Sequence, residues 1–277
     1  MRLIARDGRT LRHLDVPAFR LVPADTGAHL LAIAPRGQWL HVSRVDVGVQ
    51  KARPWLDIPR GPFASSFDGG LWFTCDRGTV HALDTLSGHR RSLWHLPELS
   101  PVLSLSRWPH SLTLLGGVDL ESLWSYALPA LQLRIKRELV GVRPCVADSG
   151  DGMGPTLAIA EAPGLLLWVE AQRDGSAIEM MLEHARGRES LCVLGRLPCQ
   201  EPLLSSRWGV VSTCGGIGAI VYVADIAARA GWMQIHLSGV SEIRAHLSGD
   251  TLVVVDSLGR ILRFDLARGR LRDRLRS

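Results

Sequence analysis

The sequence contains no asparagine, and its only lysines are Lys51 and Lys136, so arginine supplies 30 of the 32 basic residues. Lysine and asparagine share A-rich codons, and their joint scarcity indicates a GC-rich genome rather than selection for phosphate binding. The net charge of +5 therefore does not by itself indicate a nucleic-acid partner. One local excess keeps that alternative open, because a cluster of cations can attract an acidic partner. Seven arginines lie in the last eighteen residues: Arg260, Arg263, Arg268, Arg270, Arg272, Arg274 and Arg276.

Cysteines are few, and no two of them have the Cys-x-x-Cys spacing. The five are Cys75, Cys145, Cys192, Cys199 and Cys214. An odd number without paired spacing argues against a disulfide framework and against a structural zinc site. We expect free thiols in the reducing environment of the cytoplasm.

Long hydrophobic runs are also absent. No apolar segment reaches the length of about 18 residues that a membrane span needs. The first residues, Met1-Arg2-Leu3-Ile4-Ala5-Arg6-Asp7, lack the apolar core of a signal peptide. These two absences predict a cytoplasmic protein without membrane association.

The sequence does contain an internal repeat. Short apolar segments that follow a turn begin 40 to 54 residues apart, at positions 29, 71, 111, 156, 210 and 251. Each is followed by a second apolar segment and by a third in which apolar and polar residues alternate, which is the strand pattern. A fourth segment precedes each unit, and two of its copies, Pro101–Trp108 and Pro202–Trp208, are nearly identical.

Four short strands in a repeat of this length are typical of a β-propeller blade. We therefore predict an all-β fold: a single β-propeller domain spanning residues 1–277, with six four-stranded blades and with seven as the alternative. The approximate blades are 17–58, 61–97, 100–139, 142–184, 201–238 and 241–276. Residues 1–16 are expected to supply closing strands, so that an N-terminal strand helps to close the ring, and residues 185–200 are interpreted as an insertion.

The turns between the strands carry a family resemblance. Asp84-Thr-Leu-Ser-Gly88 matches Asp265-Leu-Ala-Arg-Gly269, and Asp68-Gly-Gly-Leu-Trp72 runs into the first of them. In these positions aspartate accepts backbone N–H bonds and glycine takes a positive φ. The pattern resembles the repeats of quinoprotein and WD40-like propellers, from which this chain departs because it contains no Trp-Asp dipeptide.

The resemblance implies a function as well as a fold. Compact propellers similar to this one occur in bacteria beside AAA-type ATPases and von Willebrand A-domain proteins, in multi-component systems of a defence or conflict type. It therefore implies a non-catalytic recognition or regulatory subunit whose partner is a protein of one of these classes. No cofactor and no metal are expected.

Six residues are candidates for binding a partner because of their residue type and their position in the predicted strands. Arg107-Trp108 and Arg207-Trp208 end two of the predicted inner strands, and arginine and tryptophan are enriched at binding hot spots. Arg186 and Arg188 lie in the predicted insertion. We expect these six residues to contact a partner protein.

An enzyme remains the alternative. Asp25, Asp68 and Asp148 end three other predicted inner strands, and carboxylates from three blades could hold a cation in a metal-dependent hydrolase or lyase. The glycine-rich segment Gly150–Pro155 is no candidate for phosphate binding, because a strand follows it where that chemistry needs a helix. Since no other catalytic arrangement is evident, the sequence favours a non-catalytic protein.

Overall fold

The structure is a computed structural model, in which the chain folds as two compact units. Unit 1 comprises Met1–Ala5, Thr10–Val142 and Asp151–Met153, and unit 2 comprises Arg6–Arg9, Arg143–Gly150 and Gly154–Ser277. The residues that the structure describes are 2–4, 10–13, 20–24, 29–46, 48–61, 63–65, 71–97, 102–108, 111–117, 122–128, 130–147, 156–172, 175–216 and 218–276.

Unit 1 contains one two-stranded sheet and three four-stranded antiparallel sheets. The two-stranded sheet consists of β1 (Arg2–Ile4) and β2 (Thr10–His13). Sheet I consists of β3 (Arg20–Ala24), β4 (His29–Arg36), β5 (Trp39–Asp46) and β6 (Lys51–Pro59). Sheet II consists of β7 (Phe63–Ser65), β8 (Leu71–Asp76), β9 (Thr79–Asp84) and β10 (Arg90–His95). Sheet III consists of β11 (Val102–Trp108), β12 (Ser111–Gly116), β13 (Ser122–Ala127) and β14 (Gln132–Glu138).

Unit 2 has the same organisation, with one two-stranded sheet and three four-stranded sheets. The two-stranded sheet consists of β15 (Val146–Ala147) and β16 (Thr156–Leu157). Sheet IV consists of β17 (Ile159–Ala162), β18 (Leu165–Ala171), β19 (Ile178–His184) and β20 (Gly187–Leu194). Sheet V consists of β21 (Leu203–Leu204), β22 (Trp208–Gly215), β23 (Gly218–Asp225) and β24 (Ala230–Ser238). Sheet VI consists of β25 (Ile243–Ser248), β26 (Thr251–Asp256), β27 (Arg260–Asp265) and β28 (Arg270–Arg276).

Neighbouring sheets within a unit share their apolar cores. In unit 1, Leu31 and Val42 of sheet I pack with Trp72 of sheet II in one cluster, and a second cluster joins sheets II and III. In unit 2, Leu167 of sheet IV packs with Val211 of sheet V, and a further cluster of this kind joins sheets V and VI. Fully burying one such side chain contributes about 1.5–3 kcal/mol. Each sheet therefore depends on its neighbour to cover its apolar face.

A β-bulge recurs at the same place in all six four-stranded sheets. The pairing register shifts between the third and the fourth strand of each. Such a bulge bends the strand and increases its twist. Exposed residues are frequent in the fourth strands whose side chains are fully described, and in β14 every residue is exposed. The bulge thus marks the pairing of the third with the fourth strand in every four-stranded sheet, and sheet III has one more between β11 and β12.

This marker corrects the predicted limits of the fourth repeat. The sequence pattern assigned residues 142–184 to that blade and 185–200 to an insertion, but Gly187–Leu194 pairs with β19 across the same bulge and is the fourth strand of sheet IV. The first strand of sheet IV is accordingly Ile159–Ala162, and β15 pairs with β16 instead. At the N-terminus, β1 and β2 pair with each other. Ring closure by an N-terminal strand and the number of blades stay predictions.

Candidate interaction surface

The tight turns of sheets IV, V and VI form a surface at one end of unit 2. In a four-stranded antiparallel sheet, the turn between strands one and two and the turn between strands three and four lie at the same end. Backbone hydrogen bonds join these two turns in sheet V, from Ile226 N–H to Arg207 O (2.8 Å), and in sheet VI, from Leu266 N–H to Asp250 O (2.8 Å). We call this surface the turn face of unit 2. Its turns are residues 163–164, 185–186, 205–207, 226–229, 249–250 and 266–269.

Arg207 and Trp208 lie where the turn 205–207 meets β22, and the structure gives them different roles. Trp208 is only 1% exposed and belongs to the core between sheets V and VI, where its Nε1–H donates to Asp250 Oδ1 (2.8 Å). The guanidinium carbon of Arg207 lies 4.6 Å from the Trp208 ring centroid, and the Arg207 side chain is 50% exposed. A partner can therefore contact the arginine, which covers the buried indole.

Two carboxylates hold Arg207 in this position. Its Nη1 lies 3.4 Å from Asp250 Oδ1, and its Nε lies 3.9 Å from Asp225 Oδ2. The backbone beneath is fixed by Ser205, whose Oγ accepts the N–H groups of Arg207 (3.3 Å) and Trp208 (2.9 Å). Because the side chain is stacked and paired before a partner arrives, it loses little rotamer freedom on binding.

A second tryptophan extends this cluster toward solvent. The Trp232 ring centroid lies 6.2 Å from that of Trp208, and its Nε1–H donates to Leu266 O (2.9 Å), yet the residue is 49% exposed. Gly269, at φ +59°, lies against this indole. The same arrangement recurs in unit 1, where Gly88, at φ +77°, lies against Trp55. Trp232 was not among the residues that the sequence predicted to contact a partner.

Arg186 lies in the turn between β19 and β20, on the same turn face, and Arg188 is the second residue of β20. Arg188 donates from Nε to Glu183 Oε2 (2.5 Å), and its guanidinium carbon lies 5.6 Å from the Trp168 ring centroid. Arg186 is exposed, and its backbone N–H donates to His184 Nδ1 (3.0 Å). Both predicted arginines thus belong to an ordered hairpin of sheet IV rather than to an insertion.

The turn 226–229 connects the two arginine clusters. Arg229 at its end pairs with Glu189 of sheet IV (Nε to Oε1, 3.4 Å), and Glu189 also pairs with His184 (2.8 Å). Asp225, just before the turn, pairs with Arg207 and accepts the N–H groups of residues 227 and 228. The structure therefore brings Arg186, Arg188 and Arg207 onto one continuous charged surface.

Other predicted site residues lie outside what the structure describes. Arg107 and Trp108 belong to β11, and the backbone of Trp108 pairs with Ser111, but their side chains are outside the described part. Asp25, Asp68 and Asp148 are also outside the described residues. Within those residues, no group of three or more His, Cys, Asp or Glu side chains is placed to hold a metal ion.

Two of the C-terminal arginines are held by carboxylates of their own sheet. Arg260 donates from Nε to Asp256 Oδ2 (2.6 Å), and the Asp256 side chain is fully buried. Arg268 Nε lies 3.7 Å from Asp265 Oδ2. These two cations therefore help to order the turns of sheet VI.

The cysteines contain a feature that the sequence did not indicate. Burial raises the pKa of the Cys75 and Cys192 thiols to about 11. Cys199 and Cys214, in contrast, lie in side-chain hydrogen-bond contact, and the Cys199 thiol lowers the pKa of Cys214 to about 7. Fourteen residues and no known motif separate these two cysteines, so only the fold reveals the pair.

Comparisons with known proteins identify the fold. No protein-family model matches the sequence, and neither does any curated protein. Solved structures do match. The nidogen/laminin complex has a TM-score of 0.54 and 17% identity, and the match covers 90% of this chain and 93% of that one. U3-55K has a TM-score of 0.58 and 14% identity, with 99% and 86% covered. Hydrazine synthase of Kuenenia stuttgartiensis has a TM-score of 0.56 and 13% identity, with 97% and 89% covered.

These structural neighbours are β-propeller-like folds. Because their sequence identities are low, the likeness concerns the fold alone. The described part of this chain holds no helix long and apolar enough to cross a membrane. The chain is an all-β protein with a propeller-like fold, built from repeated four-stranded antiparallel sheets.

Proposed function

We propose that this protein is a non-catalytic interaction scaffold that acts as a recognition or regulatory subunit of a bacterial multi-protein system. The observation that carries the proposal is the turn face of unit 2, where exposed arginines are fixed by carboxylates and aromatic rings on tight turns. Propeller-like structural neighbours support a scaffold fold. Fold alone does not specify function, and this surface is the feature of the molecule that supports the proposal.

The charges of the turn face define the partner that it suits. Arg186, Arg188, Arg207 and Arg229 alternate with carboxylates such as Glu189, which disfavours the uniform negative charge of a nucleic-acid backbone. A protein surface with carboxylates spaced to meet individual arginines suits the pattern better. The exposed part of Trp232 adds an apolar contact beside them.

The test is affinity capture from the source organism with the purified chain as bait, followed by chemical cross-linking. We expect a partner whose cross-links map to residues of the turn face. Replacing two of the exposed arginines in the variant Arg186→Ala/Arg207→Ala should weaken binding at least about tenfold, which corresponds to 1.4 kcal/mol. A specific partner protein should remain bound at physiological salt.

The matched control removes the same number of exposed arginines from unit 1. Arg91 lies on β10 and Arg134 on β14, and both are exposed. The variant Arg91→Ala/Arg134→Ala should bind the partner as the wild type does. Failure to capture any partner, or equal loss in both double variants, would refute the assignment of the turn face.

A further inference from the structure

Away from the turn face, unit 2 contains two cysteines brought together by the fold. Pro198 forms an isolated antiparallel bridge with Thr213, and the backbone N–H of Cys199 donates to Ser212 O (2.9 Å). Cys199 therefore lies opposite Ser212, and Cys214 follows two positions farther along β22. Residues two apart on a strand share a face, so both cysteines lie on the same side of this pairing. Both also pack against the cluster between sheets V and VI.

Hydrogen bonds distinguish the two sulfur atoms. Cys214 Sγ accepts a hydrogen bond from the Cys199 thiol and another from the backbone N–H of Ile243. The positive charge of Arg244 favours the thiolate form of both cysteines, and the negative charge of Glu242 opposes it at Cys214. The Cys199 thiol is the donor of the pair, and this hydrogen bond, together with burial, raises its pKa. The N–H of Ile243 therefore favours the thiolate at Cys214 over the thiolate at Cys199.

The surroundings leave the pair reachable. Cys199 and Cys214 are both partly exposed. Cys214 lies at the end of β22, next to Gly215 and Gly216, which take φ values of +150° and +60°. A partly exposed thiol beside a cation and backbone donors is the environment of reactive cysteines.

We propose that Cys214 and Cys199 form a peroxide-reactive dithiol site, in which Cys214 is the nucleophile and Cys199 the resolving thiol. The Cys214 thiolate attacks one oxygen of a hydroperoxide, the O–O bond breaks, and the leaving oxygen takes up a proton. Cys214 becomes a sulfenic acid and the peroxide is reduced. Cys199 Sγ, losing its proton, then attacks Cys214 Sγ and water leaves, which yields a disulfide.

When it is oxidised, the dithiol site would link the connection between sheets IV and V covalently to β22. Residues 195–202 run from β20 to β21, and the backbone of this connection is bridged to β22 at Pro198. Gln200 in the same segment donates from Nε2 to Ser212 Oγ (3.0 Å) and accepts the N–H of Ala245 (3.4 Å). A disulfide shortens the S–S separation to about 2.05 Å and adds a covalent link at this place. A reductant such as a dithiol reverses it.

The experiment treats the reduced full-length protein with hydrogen peroxide, blocks the remaining thiols by alkylation and maps the peptides by mass spectrometry. We expect the peptides of Cys199 and Cys214 to be joined and three free thiols to remain of the five, with dithiothreitol restoring all of them. In Cys199→Ser, a sulfenic acid should accumulate at Cys214 and be trapped by dimedone. In Cys214→Ser, neither the disulfide nor trapping at Cys199 should occur.

Cys192→Ser is the matched control, because Cys192 is also partly exposed but lies apart from the pair. It should form the disulfide as the wild type does. In the wild type, alkylation of Cys214 by iodoacetamide at pH 7 should be at least about tenfold faster than that of Cys192. Its rate should reach half of its maximum at a lower pH than that of Cys192, because the pKa of Cys214 is lowered and that of Cys192 is raised. Circular dichroism should show that every variant keeps its strand content.

Three results would overturn the proposal. One is a protein that keeps all five thiols in peroxide while remaining folded. Another is a sulfenic acid or disulfide formed mainly at Cys75, Cys145 or Cys192. The third is equal alkylation of Cys192 and Cys214 across the pH range.

Discussion

Packing between sheets IV and V depends on a glycine in β22, and this contact can be tested by a double-mutant cycle. A Cβ added at Gly209 would lie 3.2 Å from Leu167 Cδ2 and 3.3 Å from Ile226 Cδ1. Gly209 is not in the left-handed region, so alanine is acceptable to its backbone and only the packing changes. Overpacking of this kind destabilises a protein by about 1–3 kcal/mol. Replacing glycine by alanine also makes the unfolded chain less flexible, which stabilises the folded protein by about 0.5–1 kcal/mol. We expect Gly209→Ala to lower the free energy of unfolding by about 1 kcal/mol.

The second change creates the space that the new methyl group needs. Leu167 is fully buried, so Leu167→Ala should cost about 2–5 kcal/mol through lost burial and the cavity left behind. In the double variant the methyl group at residue 209 no longer meets the leucine and fills part of that cavity. The double variant should therefore be about 1–2 kcal/mol more stable than the sum of the single changes predicts.

Urea unfolding of the four proteins, followed by circular dichroism, measures this coupling. Leu252→Ala is the matched control, because Leu252 is equally buried but belongs to the cluster between sheets V and VI. Its effect should add to that of Gly209→Ala within about 0.5 kcal/mol. Additivity of Gly209→Ala with Leu167→Ala would refute the packing of sheets IV and V described above.

Three further changes test the turns and the connections. Asp250→Ala removes the acceptor of the buried Trp208 Nε1–H and should lower the free energy of unfolding by about 1–3 kcal/mol, as measured in urea. Tyr222→Phe removes the hydroxyl that accepts the N–H of Gly195 (2.9 Å) and should cost about 1 kcal/mol and speed hydrogen exchange of that amide. The pKa of Asp84 is lowered, chiefly because the backbone N–H of Ser87 donates to its carboxylate. The contribution of Asp84 to the free energy of unfolding is therefore complete above the unfolded pKa of about 3.9, and it is lost as the pH falls through the lower pKa of the folded protein. The difference in stability between the wild type and Asp84→Asn should accordingly be constant above that pH and shrink in acid.

Much of the strand pattern could be predicted because it repeats. Each repeat was predicted to contain a second apolar segment, and two of these, Thr79–Asp84 and Leu165–Ala171, coincide with β9 and β18. Apolar residues fill both faces of such inner strands, and turns with aspartate and glycine mark their ends. The fourth strand of sheet IV, Gly187–Leu194, was missed. Its first four residues are polar or glycine and mostly exposed, and its apolar residues Leu191–Leu194 come only at its end, so it shows no alternation along its whole length.

The candidate surface could be predicted only in part. Residue type drew attention to Arg207 and Trp208, but the buried position of the indole depends on Asp250, which is 42 residues away in sequence. The contact between Cys199 and Cys214 likewise depends on a single bridge between a connection and a strand. Contacts of this kind cannot be predicted from the residues next to them in the sequence, since they arise from how the sheets pack.

The central claim is that neighbouring sheets cover each other's apolar faces and are stable only together. Removal of residues 239–277 deletes sheet VI and tests it directly, because Val221 and Val223 of sheet V pack in the cluster shared with that sheet. Hydrogen exchange of the shortened chain should show that the amides of β22 and β23 lose their protection. Unchanged protection of those amides would contradict the claim.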